Sequence, residues 1–207
     1  MSNNFENENE GLYEQLWHNR YISVAFDGLK RTNRDEFYIK LLSLFNQFHN
    51  DQYEDGFLEE CQAFENKFRF LIDRIDQTRL WVFLASVYDN YGNYDRALTL
   101  LKAAQTETLE SDSPNDKGDI ANGLGLIYMR LKEYQKSQRQ LLVAHQQRTL
   151  ASNQGGIGSS LNLLGRINSL IGNFEEAEKY YLSAKELREE NCDPAIGWTL
   201  YGLATLY

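Results

Sequence analysis

The sequence is poor in the residues that make tight turns, cross-links and metal sites. Its 207 residues include two prolines and 14 glycines, which leaves room for long helices and little turn signal for a many-stranded sheet. Cys61 and Cys192 are isolated, so we expect two reduced thiols and no disulfide. His18, His49 and His145 have no second ligand at metal-binding spacing, and the sequence predicts neither a metal site nor a cofactor.

Basic charge is scarce, and long apolar runs are absent. Lysine and arginine number 21 against 30 acidic residues, and the resulting net charge of -9 repels nucleic acid and anionic membranes. No stretch approaches the roughly 20 apolar residues of a membrane span, and residues 1–10 are polar and acidic, unlike a signal peptide. We therefore expect a cytoplasmic protein that binds neither nucleic acid nor membrane.

Side chains arranged for catalysis are also lacking. Residues 155–158, Gly-Gly-Ile-Gly, resemble a nucleotide loop only superficially, because they follow a predicted helix and lack the lysine. No nucleophile stands beside a base, and the pairs Glu175-Glu176 and Glu189-Glu190 are typical of solvated helix surfaces. The sequence predicts that the chain is not an enzyme.

A repeat of 40 residues, the last at 39, organises the sequence from position 84 onward. A large residue followed by a small one and, mostly, an aromatic recurs as Leu84-Ala85 with Tyr88, Leu124-Gly125 with Tyr128, Leu164-Gly165 with Asn168, and Leu203-Ala204 with Tyr207. The second half of the unit recurs as Tyr94 and Ala97, Tyr134 and Ser137, and Phe174 and Ala177, followed by Ala104, Ala144 and Ala184. Small residues let two antiparallel helices approach closely while the large ones fill the gaps beside them.

Turn residues divide each repeat into two helices. Gly92 and Gly172 stand where a left-handed residue lets the chain reverse, whereas the middle repeat has Lys132 there. Ser113-Pro114 and Asp193-Pro194 are typical of helix starts. The predicted helices cover residues 77–91, 94–110, 115–131, 134–151, 156–171, 174–190 and 195–207.

The order Leu84, Ala85, Tyr88, Tyr94, Ala97, Leu101 and Ala104 resembles the tetratricopeptide repeat (TPR) family. The resemblance implies an all-α fold, a right-handed α-solenoid of antiparallel helix hairpins (a TPR-like superhelix). Residues 76–207 would hold three repeats and the first helix of a fourth. Residues 34–75 fit a degenerate repeat and residues 12–30 a capping helix, so that residues 12–75 form an N-terminal cap after a disordered acidic tail at residues 1–11.

The last predicted helix has an apolar face that no second helix covers. Ile196, Leu200, Leu203 and Tyr207 share this face, and leaving each in water would forgo about 1.5–3 kcal/mol. We therefore expect a truncated fragment of a longer protein, or docking of this face on a partner or on a second copy as a homodimer.

The resemblance also implies where a partner binds. In Pins-type adaptors, kinesin light chains and Rap-type peptide receptors, which have repeats of this length, the first helices of the hairpins form a concave wall that holds a peptide or protein. The partner-binding residues expected on this wall are Asn122, Met129, Arg130, Asn162, Arg166, Trp198 and Tyr201. Asn122 and Asn162, one period apart, would bind a peptide backbone through their amides, with Arg130 and Arg166 binding anions beside them.

We therefore expect an adaptor or scaffold that binds a protein segment. An asparagine on an exposed helix face can equally be ordinary polar surface. The alternative functions are a peptide-responsive sensor domain of a larger signalling protein and a self-assembling scaffold.

Overall fold

A computed structural model describes residues 31–49, 56–68, 72–110 and 112–206, and every regular element in these ranges is an α-helix. The helices are α1 (Arg31–His49), α2 (Phe57–Phe68), α3 (Arg74–Asn90), α4 (Tyr94–Glu107), α5 (Pro114–Arg130), α6 (Tyr134–Leu150), α7 (Gln154–Leu170), α8 (Phe174–Glu190) and α9 (Ile196–Ala204). The all-α prediction is confirmed. The predicted acidic tail (residues 1–11) and capping helix (residues 12–30) lie outside the described residues.

Two compact units divide the chain, residues 1–79 and residues 80–207, with the division inside α3. In the first unit α1 packs on α2, and the ring of Phe37 stacks on that of Phe64 with centroids 5.3 Å apart. Most of α1 and all of α2 lie within residues 34–75, and the assignment of this segment as a degenerate repeat stays a prediction.

The helices of the second unit account for the period of 40. Each of α5, α6, α7 and α8 has 17 residues, and turns of three residues join them. Two such helices and two such turns make one repeat. The predicted starts at Tyr134 and Phe174 agree with the structure.

The turns inside the hairpins share one conformation. Gly92 and Gly172 have φ angles of +73° and +84°, and Lys132 adopts the same left-handed region at +60°. The amide of Glu133 donates to the carbonyl oxygen of Tyr128 at 2.8 Å, which closes the turn after α5. Lysine in place of glycine at position 132 therefore raises the free energy of the turn without changing its geometry.

Small residues hold the paired helices close together, as the repeat predicts. Exposure is 0% at Ala97, Ser137 and Ala177, and again at Ala104, Ala144 and Ala184. The buried hydroxyl of Ser137 donates to the carbonyl oxygen of Gly125 at 2.7 Å. A Cβ on Gly125 would lie only 2.6 Å from Cδ2 of Leu141, so α5 and α6 approach this closely only with glycine at this position.

Local capping displaces three predicted helix ends. The Asp73 carboxylate accepts from the backbone near the start of α3, which begins at Arg74 rather than at 77. Asn153 caps α7, which begins at Gln154 rather than at 156. At the other end of its hairpin, α4 stops at Glu107 rather than at 110, because the next residue is extended.

The last helix is also shorter than predicted, covering Ile196–Ala204 rather than residues 195–207. Asp193 Oδ1 accepts a hydrogen bond from the amide of Ala195 at 3.0 Å, which holds the chain in a turn before the helix begins. Tyr207, predicted on the apolar face of this helix, lies outside the described residues.

Candidate protein-interaction surface

Two buried arginines fix the register of the first helices of the hairpins. Arg148 on α6 donates to Oγ of Ser160 on α7, and Arg188 on α8 donates to Oγ1 of Thr199 on α9, both at 2.9 Å. The two hydrogen bonds are equivalent, so α9 packs on α8 as α7 packs on α6. The two arginines are 40 residues apart and their acceptors 39, so a position on α7 corresponds to the position 39 residues later on α9. Equivalent positions on α5, α7 and α9 are therefore Asn122, Asn162 and Tyr201 in one row, and Asp119, Ser159 and Trp198 in the next.

Arg148 links two successive hairpins through its buried guanidinium. Only 2% of this residue is exposed. Its Nη2 donates to Asp119 Oδ1 at 2.7 Å and its Nη1 to Asn122 Oδ1 at 2.9 Å, both on α5. On α7 it also reaches the carbonyl oxygen of Gly156 at 3.1 Å. A buried charge is tolerated when it is paired and hydrogen-bonded in this way.

The repeated glycines at 118 and 158 make room for these arginines. A Cβ on Gly118 would lie 2.8 Å from Cγ of Arg148, and a Cβ on Gly158 would lie 3.0 Å from Nε of Arg188. An arginine side chain from the second helix of the same hairpin lies over each of these glycines. The recurrence of arginine 30 residues after each glycine was the signal available in the sequence.

Asn122 and Asn162 hold equivalent positions but have different surroundings. The carbonyl oxygen of the Asn122 side chain is occupied by Arg148. Oδ1 of Asn162 is buried, and no donor within the described ranges reaches it. The equivalent arginine, Arg188, bonds forward to Thr199 on α9 instead. Within the described residues, Oδ1 of Asn162 is therefore a buried acceptor that receives no hydrogen bond.

The two predicted anion-binding arginines also differ. Arg130 Nε lies 3.2 Å from Oδ1 of Asp89, so its charge is largely compensated by a neighbouring first helix. Arg166 is exposed, and the described part of the chain gives it no ion pair. Its charge still reaches Tyr181, where burial raises the pKa of the phenol and Arg166 opposes that rise. Arg166 is thus the more available cation of the two.

Met129 belongs to the core. Only 5% of it is exposed, and it clusters with Leu141 on α6 of its own hairpin and with Leu164 and Ile167 on α7 of the next. A partner cannot reach this side chain without moving those helices. We therefore leave it out of the interaction surface, although the sequence placed it there.

The aromatic side chains of the second unit with the highest exposed fraction lie on α9. Trp198 is 72% and Tyr201 68% exposed. We use the name A-helix surface for the outward sides of α5, α7 and α9 that carry the six remaining predicted residues. These are Asn122, Arg130, Asn162, Arg166, Trp198 and Tyr201.

The described ranges give no support for a metal site or a membrane-spanning helix. Nowhere in them do three histidine, cysteine or acidic side chains come together as possible metal ligands. None of the helices described is both long and apolar enough to span a bilayer. Cys61 on α2 is buried, and this desolvation, with help from Glu60, raises the pKa of its thiol to about 12.

Two family models match the chain. Both are described as tetratricopeptide repeat, one matching residues 116–190 and the other residues 80–113. The chain is therefore a tetratricopeptide repeat protein, as the resemblance implied. No curated protein sequence matches it.

Two solved structures share its fold. The crystal structure of the apo form of RapI has a TM-score of 0.70 at 14% identity, covering 83% of this chain and 62% of RapI. BtubC (BKLC) from P. vanneervenii has a TM-score of 0.57 at 19% identity, covering 79% of this chain and 65% of BtubC. The predicted solenoid of helix hairpins is thereby confirmed, and the chain spans less than two thirds of either protein. The class of protein that this fold and surface define is a protein-interaction or peptide-binding module.

Proposed function

We propose that this chain is an adaptor or scaffold that binds an extended segment of a partner protein on the A-helix surface. The observation that carries the proposal is the buried Oδ1 of Asn162, for which the described residues supply no donor. Buried polar atoms in folded proteins are nearly always hydrogen-bonded, and a backbone N–H of a bound segment would satisfy this one.

The neighbouring side chains suit the same ligand. Asn122, whose oxygen is held by Arg148, keeps its amide N–H groups to donate to a peptide carbonyl one repeat away. Arg166, one turn after Asn162, offers an uncompensated charge to an acidic side chain of the segment. Trp198 and Tyr201 offer apolar area beside it.

The overall charge limits the kind of partner. A net charge of -9 favours a protein that is neutral or basic as a whole, with an acidic residue only where Arg166 would meet it. We further propose that the chain acts in the cytoplasm, without a cofactor or enzymatic activity, and without binding nucleic acid or membrane. Homodimerisation through α9 stays a prediction.

The test compares two doubly substituted proteins. Asn162→Ala with Arg166→Ala removes the acceptor and the charge, and neither side chain bonds to another described residue. The matched control is Gln146→Ala with Arg139→Ala, one amide and one arginine exposed on α6. The main protein captured from native lysate by the wild-type chain is purified and titrated against each variant.

We expect the A-helix double variant to bind at least about tenfold more weakly, and the α6 control to bind like the wild type. Far-ultraviolet circular dichroism of both variants checks that helicity is unchanged. Equal affinity of the wild type and the A-helix variant would reject the proposed surface.

A further inference from the structure

A cleft lies between the turns of two neighbouring hairpins, and the proposed function does not use it. Its volume is about 350 Å³. It is formed by residues that join α3 to α4 and begin α4, together with one residue that follows α5. The residues lining it are Tyr91, Gly92, Asn93, Tyr94, Asp95 and Leu131. Two phenol rings, one carboxylate and one aliphatic side chain thus border the same small space, which we call the turn cleft.

The turn cleft carries a negative charge, and none of the described basic side chains lines it. Asp95 is exposed in the first turn of α4, and its carboxylate forms no ion pair within the described ranges. Two arginines near it in the fold bind elsewhere. The guanidinium of Arg96 lies over the ring of Tyr88, 5.9 Å from its centroid, and Arg130 pairs with Asp89. The Asp95 carboxylate is therefore available to a cation from another molecule.

The next hairpin turn shows the same positions with a different chemistry. One period of 40 residues later, an aliphatic residue, a basic residue and an amide replace the ring, the glycine and the carboxylate: Leu131 for Tyr91, Lys132 for Gly92 and Gln135 for Asp95. Lys132 has the same left-handed backbone as Gly92, with φ angles of +60° and +73°. At Gly92 the mouth of the cleft is open, because a Cβ there would have no atom within 4 Å. All three differences favour a bound cation at the first turn and disfavour one at the next.

A guanidinium is the cation that matches these groups best. It is planar, so it can stack on the face of a tyrosine ring while it donates two parallel hydrogen bonds to a carboxylate. An ammonium group is also attracted to the rings, but it lacks the planar pair of donors. Tyr91 is 44% exposed, which leaves its ring accessible to such a ligand. The aliphatic stem of an arginine can lie against Leu131 while its charged end stays near water.

We propose that the turn cleft binds an arginine side chain of a partner protein. The guanidinium binds the Asp95 carboxylate and packs against the rings of Tyr91 and Tyr94, and the aliphatic stem lies against Leu131. The net charge of -9 attracts a basic partner toward the site. Contacts at an exposed site are individually weak, so the cleft adds to the affinity of a partner that also binds elsewhere. The site shares no residue with the A-helix surface, and the proposal does not depend on a segment bound there.

The probe is arginine with an acetylated amino group and an amidated carboxyl group, so that it resembles a residue within a protein chain. It is titrated into the isotopically labelled protein, and binding is followed by the amide resonances in heteronuclear NMR spectra. The amides of Gly92 and Asn93 report on the turn cleft. Those of Gly172 and Asn173 report on the equivalent turn between α7 and α8, which keeps a carboxylate at Glu175 but has an isoleucine in place of Tyr91. This second turn measures the effect of a carboxylate without that ring.

Three further ligands separate charge, shape and source. The equally capped lysine has the charge without the planar donors. The equally capped citrulline has nearly the shape of arginine without the charge. Free arginine, whose own carboxylate is repelled by Asp95, represents a small metabolite rather than a protein side chain.

We expect capped arginine to shift the Gly92 and Asn93 resonances saturably, with a Kd of about 10 mM. Capped lysine and free arginine should bind more weakly, and capped citrulline should not saturate.

Three protein variants copy the next turn into the cleft. Asp95→Gln, Tyr91→Leu and Gly92→Lys should each weaken binding by about fivefold, with the Asn93 resonance serving as the reporter in the last. The matched control is Glu175→Gln, which removes the equivalent carboxylate one turn further on and should leave the affinity unchanged. Asn162→Ala with Arg166→Ala should also bind the probe like the wild type, which separates this site from the A-helix surface.

Four results would overturn the proposal. Equal shifts at Gly92 and Gly172 would mean a general attraction of cations to an acidic protein. Equal affinity for capped arginine and either capped lysine or capped citrulline would exclude recognition of the guanidinium. Tighter binding of free arginine would assign the cleft to a metabolite, and wild-type affinity in Gly92→Lys would place the binding elsewhere. The remaining amide resonances of each variant show whether it is folded, so a lost interaction is distinguished from a lost fold.

Discussion

Replacing Arg148 by methionine separates the charge of this side chain from its bulk. The methionine chain can still pack over Gly118, but the four hydrogen bonds from Nη1 and Nη2 are lost. Ser160 keeps a hydrogen bond to Gly156, because its hydroxyl donates to that carbonyl oxygen at 3.1 Å. The loss therefore falls mainly on Asp119, whose carboxylate would remain partly buried without this cation.

The magnitude follows from how deeply each partner is buried. Removing one member of a fully buried ion pair costs about 3–5 kcal/mol. The Asp119 side chain is 23% exposed, so water recovers part of that cost. We expect Arg148→Met to lower the free energy of unfolding by about 2–4 kcal/mol, which is large beside the usual 5–15 kcal/mol of a folded domain.

The measurement is urea unfolding followed by circular dichroism. The control is Arg139→Met on the same helix, where the exposed position predicts a change within about 0.5 kcal/mol. Adding Asp119→Asn to Arg148→Met should recover part of the loss, because it removes a partly buried charge that has lost this cation. If Arg148→Met matched the Arg139→Met control, or if the double variant were no more stable than the single one, the hydrogen bonds and ion pair of Arg148 would not stabilise the array as argued.

Two further predictions concern a turn and a thiol. Lys132→Gly should stabilise the protein by about 1 kcal/mol in the same assay by relieving the left-handed backbone, whereas Lys179→Gly inside α8 should destabilise it by a similar amount. The same sign at both sites would contradict the role given to the turn. For Cys61, the pKa of about 12 against an ordinary value of 9.0 means that the protonated thiol is favoured in the fold, so its contribution is complete below pH 9 and is lost as pH rises toward 12. Unfolding at pH 8 and pH 10 should therefore show the wild type losing about 1 kcal/mol relative to Cys61→Ala, and parallel losses in the two proteins would refute it.

The parts of the fold that repeat could be predicted from the sequence. Small residues such as Ala97, Ser137 and Ala177 recur at positions where helices touch, and every one is fully buried. Periodicity fixes such positions because close packing tolerates few side chains there. Helix ends were less predictable, since a single capping side chain such as Asp73 moves a boundary by several residues.

The surface could be predicted less well, because long-range packing decides which helix faces stay open. The sequence placed Met129 on the exposed face of α5, yet Leu141 on α6 and Leu164 and Ile167 on α7 cover it. Arginine is usually a surface residue, and the burial of Arg148 depends on acceptors that α5 and α7 bring together around it. Trp198 and Tyr201 are exposed, and their correspondence to the arginine-binding residues of α5 appears only in the structure.

The central claim is that partners are held by the first helices of the hairpins. Arg166 on α7 and Arg139 on α6 are both exposed arginines, one on each of the two helix layers. Their modification by phenylglyoxal, measured by mass spectrometry with and without the captured partner, compares the two layers directly. We predict that the partner slows modification of Arg166 and leaves Arg139 unchanged, whereas protection of Arg139 with Arg166 still reactive would contradict the claim.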